Sequence, residues 1–160
     1  MSIQKNSGFT TVEVIAVLIV MAIVTVVVVS LLGDYKADLI AQTGVIKSHL
    51  RFAQSRAMNS NVIWGIEFAG STYSLYRDKD GDNTVDNDEK APLPAEDTDT
   101  VTLPPGITVS GAGIVSFDSW GRPFTDVAAQ TPQSGERTIT ISMGSDTNNL
   151  KIIPNTGFIP

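Results

Sequence analysis

Cysteine is absent from this 160-residue chain. Without a thiol there is no disulfide framework, no cysteine zinc site, no Fe–S cluster and no thiol nucleophile. Histidine occurs once, at His49, which excludes a His-rich metal site and a second catalytic imidazole. Positive charge is scarce as well: 11 Lys and Arg against 17 Asp and Glu give a formal net charge of −6. Nucleic-acid affinity comes mainly from basic side chains neutralising phosphates, so no nucleic-acid partner is expected. Glycine-rich phosphate loops, internal repeats and a long heptad zipper are also missing. The length suits one ordinary domain core and is too short for two.

What is present begins with a membrane segment. Val14 to Leu32, VIAVLIVMAIVTVVVVSLL, is a 19-residue run interrupted only by Thr25 and Ser30, long enough to cross a bilayer core. Its Val and Ile would favour a strand in water, but lipid offers no partner for strand N–H and C=O groups, so a helix is the only single-segment solution. A secretory signal peptide fits badly, because its apolar core is shorter and a small-residue cleavage site follows it. Here the apolar run is instead preceded by a polar octapeptide, MSIQKNSG, and then by Phe9-Thr10-Thr11-Val12-Glu13.

Gly8, Phe9, Thr10 and Glu13, set directly ahead of a long apolar helix, resemble the type IV pilin and pseudopilin class, whose precursors read Gly-Phe-Thr-x-x-Glu; Thr11 and Val14 stand where that class more often has Leu. The resemblance implies that a prepilin peptidase cuts after Gly8, leaving Phe9 as a new, N-methylated N-terminus. It implies residues 1–8 as leader, 9–32 as a single pass through the inner membrane, and 33–160 as an exported domain in the periplasm. An ionised side chain in a membrane helix costs a few kcal/mol and is normally paired or functional. After the cut, Glu13 would lie one turn from a new amine and near the positive end of the helix dipole. The class adds a partner for it, the Phe9 amine of a neighbouring subunit. The alternative is a signal anchor whose Glu13 sits at headgroup level.

Beyond Gly33 the chain stays helical and becomes amphipathic. Leu39, Thr43, Ile46, Leu50, Ala53 and Ala57 recur at helical spacing, with Lys36, Lys47 and Arg51 pointing elsewhere. One helix from Thr10 to Asn59 would be ~75 Å long at 1.5 Å per residue, with Asn59-Ser60-Asn61 as its stop. From Val62 the period changes to two: Val62/Trp64/Ile66/Phe68, Tyr73/Leu75, Ile107/Val109, Val115/Phe117, Ile139/Ile141 and Leu150/Ile152 predict six or seven short strands. Short connections favour antiparallel pairing. The expected fold is α+β: a long N-terminal helix, membrane-spanning in its first half and amphipathic in its second, packed on an antiparallel β-sheet domain.

Within the class, the exported part is similar to the minor pseudopilins of the GspH/FimT family. The stretches that carry this are Leu50-Arg51-Phe52-Ala53-Gln54-Ser55-Arg56-Ala57, the turn Phe117-Asp118-x-x-Gly121-Arg122-Pro123, the strand Thr138-Ile139-Thr140-Ile141, and Leu150-Lys151-Ile152-Ile153-Pro154-Asn155-Thr156-Gly157. The resemblance implies a non-enzymatic subunit near the tip of a type II secretion pseudopilus, with other pilin or pseudopilin subunits as partners. The alternative it leaves open is a minor subunit of a type IV pilus with a binding role at the tip, in adhesion or DNA uptake.

A second motif is Asp78-Lys79-Asp80-Gly81-Asp82-Asn83-Thr84-Val85-Asp86-Asn87-Asp88-Glu89. Numbered from Asp78, carboxylates fall at positions 1, 3, 5, 9 and 12, with the Thr84 carbonyl at 7. That is the spacing of a calcium loop, in which alternate residues converge on one hard cation and Glu89 closes the shell with both oxygens. The ligand set is Asp78, Asp80, Asp82, Thr84, Asp86 and Glu89, and the cofactor Ca2+. Asn83 departs from the pattern, standing where Gly is expected for a sharp turn; Asn tolerates the left-handed region better than most residues. No helices flank the loop. The competing reading is a solvated acidic hairpin loop.

Smaller features are read on their surroundings. His49 is expected to be a half-exposed helix side chain rather than a ligand, Trp64 a core residue, and Trp120 either a loop anchor or an exposed contact. Val45 and Phe52 either face a neighbouring subunit or widen the buried helix face. A metal-dependent hydrolase would need an open coordination position and a nearby base. A loop that supplies every ligand itself leaves no such opening, so no enzymatic activity is expected.

Overall fold

The structure, a computed structural model, describes residues 9–160. The leader expected at residues 1–8, Gly8 included, lies outside the described residues. After Ala37 the chain divides into two compact units, and a single helix, α1 (Thr11–Ser60), contributes to both.

In the first unit Thr10 caps α1. Its carbonyl accepts from the Glu13 and Val14 amides at 3.1 and 3.2 Å, and its hydroxyl accepts from the Glu13 amide at 3.3 Å. Threonine followed three positions later by glutamate is the capping-box pattern, which satisfies amides that the first helical turn leaves without partners. Thr11–Val29 has a mean hydropathy of 3.1 and none of it is buried. Within it the Thr25 hydroxyl donates to the Met21 carbonyl at 2.8 Å, so its polar atom is bonded inside the helix.

In the second unit the helical stripe is buried as its spacing requires: Leu39, Thr43, Ile46, Leu50, Ala53 and Ala57 all lie inside. Phe52 is partly buried against the same core, widening that face, while Val45 is exposed. The stop also falls where expected. Asn61 takes the left-handed φ of 54°, and the Ser60 hydroxyl accepts from the indole N–H of buried Trp64 at 2.8 Å, which fixes the chain's exit from helix to sheet.

Two antiparallel sheets follow. The larger contains β1 (Trp64–Ala69), β2 (Thr72–Arg77), β3 (Lys90–Ala91), β4 (Thr100–Thr102), β6 (Ile114–Phe117) and β7 (Pro123–Phe124). Its order is β3-β2-β1-β6-β7, with β4 also pairing β2. The smaller sheet has β5 (Ile107–Ser110), β8 (Arg137–Met143) and β9 (Asp146–Ile152), in the order β5-β8-β9. Register puts Ile66 opposite Leu75 and Val115, and Ile139 opposite Leu150, so the apolar sets of neighbouring strands share one face. Those residues and the helix stripe form one hydrophobic core. The architecture is the expected α+β one, with nine strands among the described residues where six or seven were predicted. The extra ones, β3, β4 and β7, are two or three residues long, too short for an alternating pattern to register.

One prediction fails. His49 is buried, not half-exposed. Its Nδ1 lies 2.9 Å from the Tyr73 hydroxyl and its Nε2 3.3 Å from the Pro94 carbonyl. A carbonyl only accepts, so Nε2 carries the proton and Nδ1 accepts from the tyrosine. Both ring nitrogens are satisfied, which is what makes a buried imidazole tolerable.

The stretches that carried the family resemblance meet in space. The Gln54 side-chain amide donates to the Gly121 carbonyl at 2.8 Å and the Thr156 carbonyl at 3.1 Å, joining the end of α1 to the 117–123 turn and the C-terminal stretch. Gly157 sits at φ 62°, and a side chain there would fall on the Gly121 carbonyl, Gln54 and the Phe117 ring. Glycine is required by both backbone and space. In the same turn Asp118 accepts from the Trp120 and Arg122 amides and pairs with the Arg122 guanidinium at 2.6 Å. That guanidinium lies 4.7 Å from the Trp120 ring centroid. Trp120 itself is 72% exposed, an exposed surface side chain and not an anchor.

Candidate functional site

Two groups of residues carry chemistry. At the start of α1, Phe9 is 83% exposed and Glu13 stands in the first turn, where the helix dipole favours a carboxylate. Its neighbours Val12, Val14 and Val17 are exposed apolar side chains. The Glu13 amide is taken by Thr10; this capping role is a local one that the Thr-x-x-Glu spacing already carries.

The second group is the loop between β2 and β3. Asp78 and Glu89, at its two ends, are buried at 6% and 4% exposure, whereas Asp80, Asp82 and Asp86 face solvent. The ends are tied together by the Arg77 amide, which donates to the Glu89 carbonyl at 2.9 Å. The Glu89 carboxylate accepts from the Lys79 amide at 2.6 Å through Oε1 and from the Asp86 amide at 3.3 Å through Oε2. Within the loop, Asp78 Oδ1 accepts from the Gly81 amide and Asp80 Oδ1 from the Asp82 amide. Asp82 Oδ1 accepts from the Thr84 hydroxyl at 2.7 Å and the Thr84 amide at 2.8 Å, bonds that hold the Asp82 pKa below the usual carboxylate range. Thr84 is thereby placed by its amide and hydroxyl.

Five of the six carboxylates in the motif lie near one another. Asp78, Asp80 and Glu89 each offer an oxygen within 4.8 Å of the other two, and so do Asp80, Asp82 and Asp86. Asp80 belongs to both sets. Asp88, outside the ligand spacing, is turned aside: Lys79 Nζ pairs with its carboxylate at 2.9 Å and also meets its carbonyl, and that bond and charge lower the Asp88 pKa.

Asn83 does what glycine would do and more. Its φ is 66°, the left-handed turn the pattern needs at this position. Its side-chain oxygen accepts from the Val127 and Ala128 amides at 2.9 and 3.2 Å. The acidic loop is therefore bolted to a second turn, in which Asp126 in turn accepts from the Gln130 and Thr131 amides. This partnership has no local signal in the sequence, because Val127 lies 44 residues further along.

No curated protein matches the chain. Among solved structures it is similar to a crystal structure of the type IV minor pilin FimU of Pseudomonas aeruginosa, at 16% identity and a TM-score of 0.48, over 80% of this chain and 87% of that one. Residues 42–156, from the buried face of α1 through all nine strands to Thr156, match the family described as type II transport protein GspH, and the chain belongs to that family.

Proposed function

We propose that this pilin-like subunit is a minor component of a type II secretion pseudopilus, assembled at or near its tip and without enzymatic activity of its own. The observation that carries the reading is Glu13, the one charged residue within Thr11–Val29, a segment otherwise free of charge and wholly unburied. An apolar surface of that extent needs a second apolar phase. A helix suits lipid, because its backbone groups are bonded internally, and it suits neighbouring subunit helices for the same reason. In either setting a lone carboxylate needs a positive partner. A prepilin peptidase cut after Gly8 supplies one in the N-methylated Phe9 amine of an adjacent subunit. Residues 1–8 are then the leader, 9–32 the single pass through the inner membrane, and 33–160 the periplasmic domain. The family's description as type II transport protein favours the secretion pseudopilus over a type IV pilus.

The test is co-purification from a host that carries the cognate machinery. Intact mass should show a subunit beginning at Phe9. Glu13→Ala should insert and fold, since residues 38–160 have their own core, yet should drop out of complexes with the other minor subunits. A subunit retaining Met1, or normal incorporation of Glu13→Ala, would overturn the proposal.

A further inference from the structure

We infer that residues 78–89 form a single calcium site and that its occupation fixes the turn at residues 126–131 through Asn83. The first support is an orphan. Asp78 is 94% buried, the complement of its 6% exposure, and its Oδ2 has no hydrogen-bond partner while Oδ1 accepts from the Gly81 amide. A buried carboxylate oxygen without a partner is costly. This one belongs to a side chain that faces the Asp80 and Glu89 carboxylates across less than 4.8 Å, where three negative groups would repel one another without a cation.

The donor set selects the ion. All ligands are carboxylate or carbonyl oxygens, which suit a hard cation. Oxygens bound to one calcium at 2.3–2.6 Å lie up to about 5 Å apart, so each carboxylate set has a compatible span, and Asp80, common to both, is the residue about which an ion would draw them together. Asp78 and Glu89 close the shell from the buried side, Asp82 and Asp86 from the solvent side, and the Thr84 carbonyl takes the seventh position of the motif. Glu89 is already held by two backbone amides, one on each oxygen. Each carboxylate oxygen has a second lone pair, so those bonds aim the group without using it up. Magnesium fits worse, since it requires near-ideal octahedral geometry and gives up water reluctantly.

The coupling follows from Asn83. It stands between ligands Asp82 and Thr84, so a bound ion that fixes both neighbours fixes its backbone, and its side chain carries the Val127 and Ala128 amides. The calcium site stands on the loop's own atoms and is independent of the subunit assignment: it would hold in any filament, or in none.

The full chain in detergent micelles is titrated with calcium chloride by calorimetry, and its amide exchange is followed by mass spectrometry in calcium and in chelator. One equivalent of calcium should bind. At a hundred times Kd, exchange in 78–89 and at Val127 and Ala128 should slow by up to about a hundredfold, the factor by which openings that release the ion are suppressed. The melting temperature should rise by about 5–10 °C. Magnesium at equal concentration should give less. Glu89→Gln should lose both binding and protection, whereas Asp97→Asn, outside the spacing, should keep them. Asn83→Gly reads the coupling within one sample: protection at Val127 and Ala128 should fall well below that of 78–89. Identical melting and exchange of the unaltered chain in millimolar calcium and in chelator would overturn the site, whatever the variants do. Calcium binding with equal protection of both segments in Asn83→Gly would overturn the clamp.

Discussion

Residues 11–29 and 38–60 belong to the same helix and face opposite problems. The first stretch is apolar on every side and has nothing packed on it; the second buries one stripe and leaves Lys47, Ser48, Arg51 and Ser55 partly or fully in contact with water. A helix that is hydrophobic all round belongs in lipid or among other helices, and one with a single apolar face belongs on a sheet. The backbone is the same in both stretches. What differs is the solvent each sequence is written for, and so the consequence of changing one side chain.

Truncation breaks the comparison most sharply. Leu50 is fully buried on the stripe, in contact with the core that both sheets share. Leu50→Ala should destabilise the second unit by about 2–5 kcal/mol, the lost transfer energy plus the cavity left behind. Val20, 59% exposed, removes almost nothing from that core, so Val20→Ala should change the same transition by less than about 0.5 kcal/mol. Denaturant melts of the full chain in micelles, followed by tryptophan fluorescence, in which buried Trp64 reports the loss of the core, measure both. Comparable losses for the two variants would mean that the stretches unfold as one body.

Much of this was legible because it is local. The stripe from Leu39 to Ala57 repeats at helical spacing within one element, and all six of its members are buried. Strand β8 alternates along Thr138-Ile139-Thr140-Ile141-Ser142, and β9 along Leu150-Lys151-Ile152, enough for the period to show. The two-residue strands β3 and β7 have no period to read; they exist because β2 and β6 offer them edges. The acidic loop announced its ligand spacing, but not the reason for Asn83, which lies in a turn far along the chain. His49 shows a different failure. It follows Ile46 by three residues and precedes Ala53 by four, which places it on the buried face, yet its polarity argued for water. Position prevailed because Tyr73 and Pro94 supply partners that no neighbouring residue in sequence reveals.

That buried imidazole gives a pH-dependent effect confined to the second stretch and sharpens the contrast, since residues 11–29 hold no histidine. Burial lowers the His49 pKa below 6.5, and the Pro94 carbonyl and the Glu96 charge only partly oppose it. The folded chain therefore releases the proton more readily than the unfolded chain, and the unfolded state binds more protons in the window between the lowered folded value and the unfolded one near 6.5. The sign follows: the contribution of neutral His49 to stability is complete above the unfolded value and is lost as pH falls through the folded one. Between pH 7.5 and 5 the second unit should lose stability with a slope no steeper than about 1.4 kcal/mol per pH unit, the limit for one proton. Exposed Asp82 and Asp88, held below the usual carboxylate range, stay ionised throughout that window. His49→Gln keeps a polar side chain on the helix and removes the titration, so its melts over the same pH range should be flatter even if its stability at pH 7.5 is lower. Equal slopes in the two proteins would show that the imidazole between Tyr73 and Pro94 does not couple to folding.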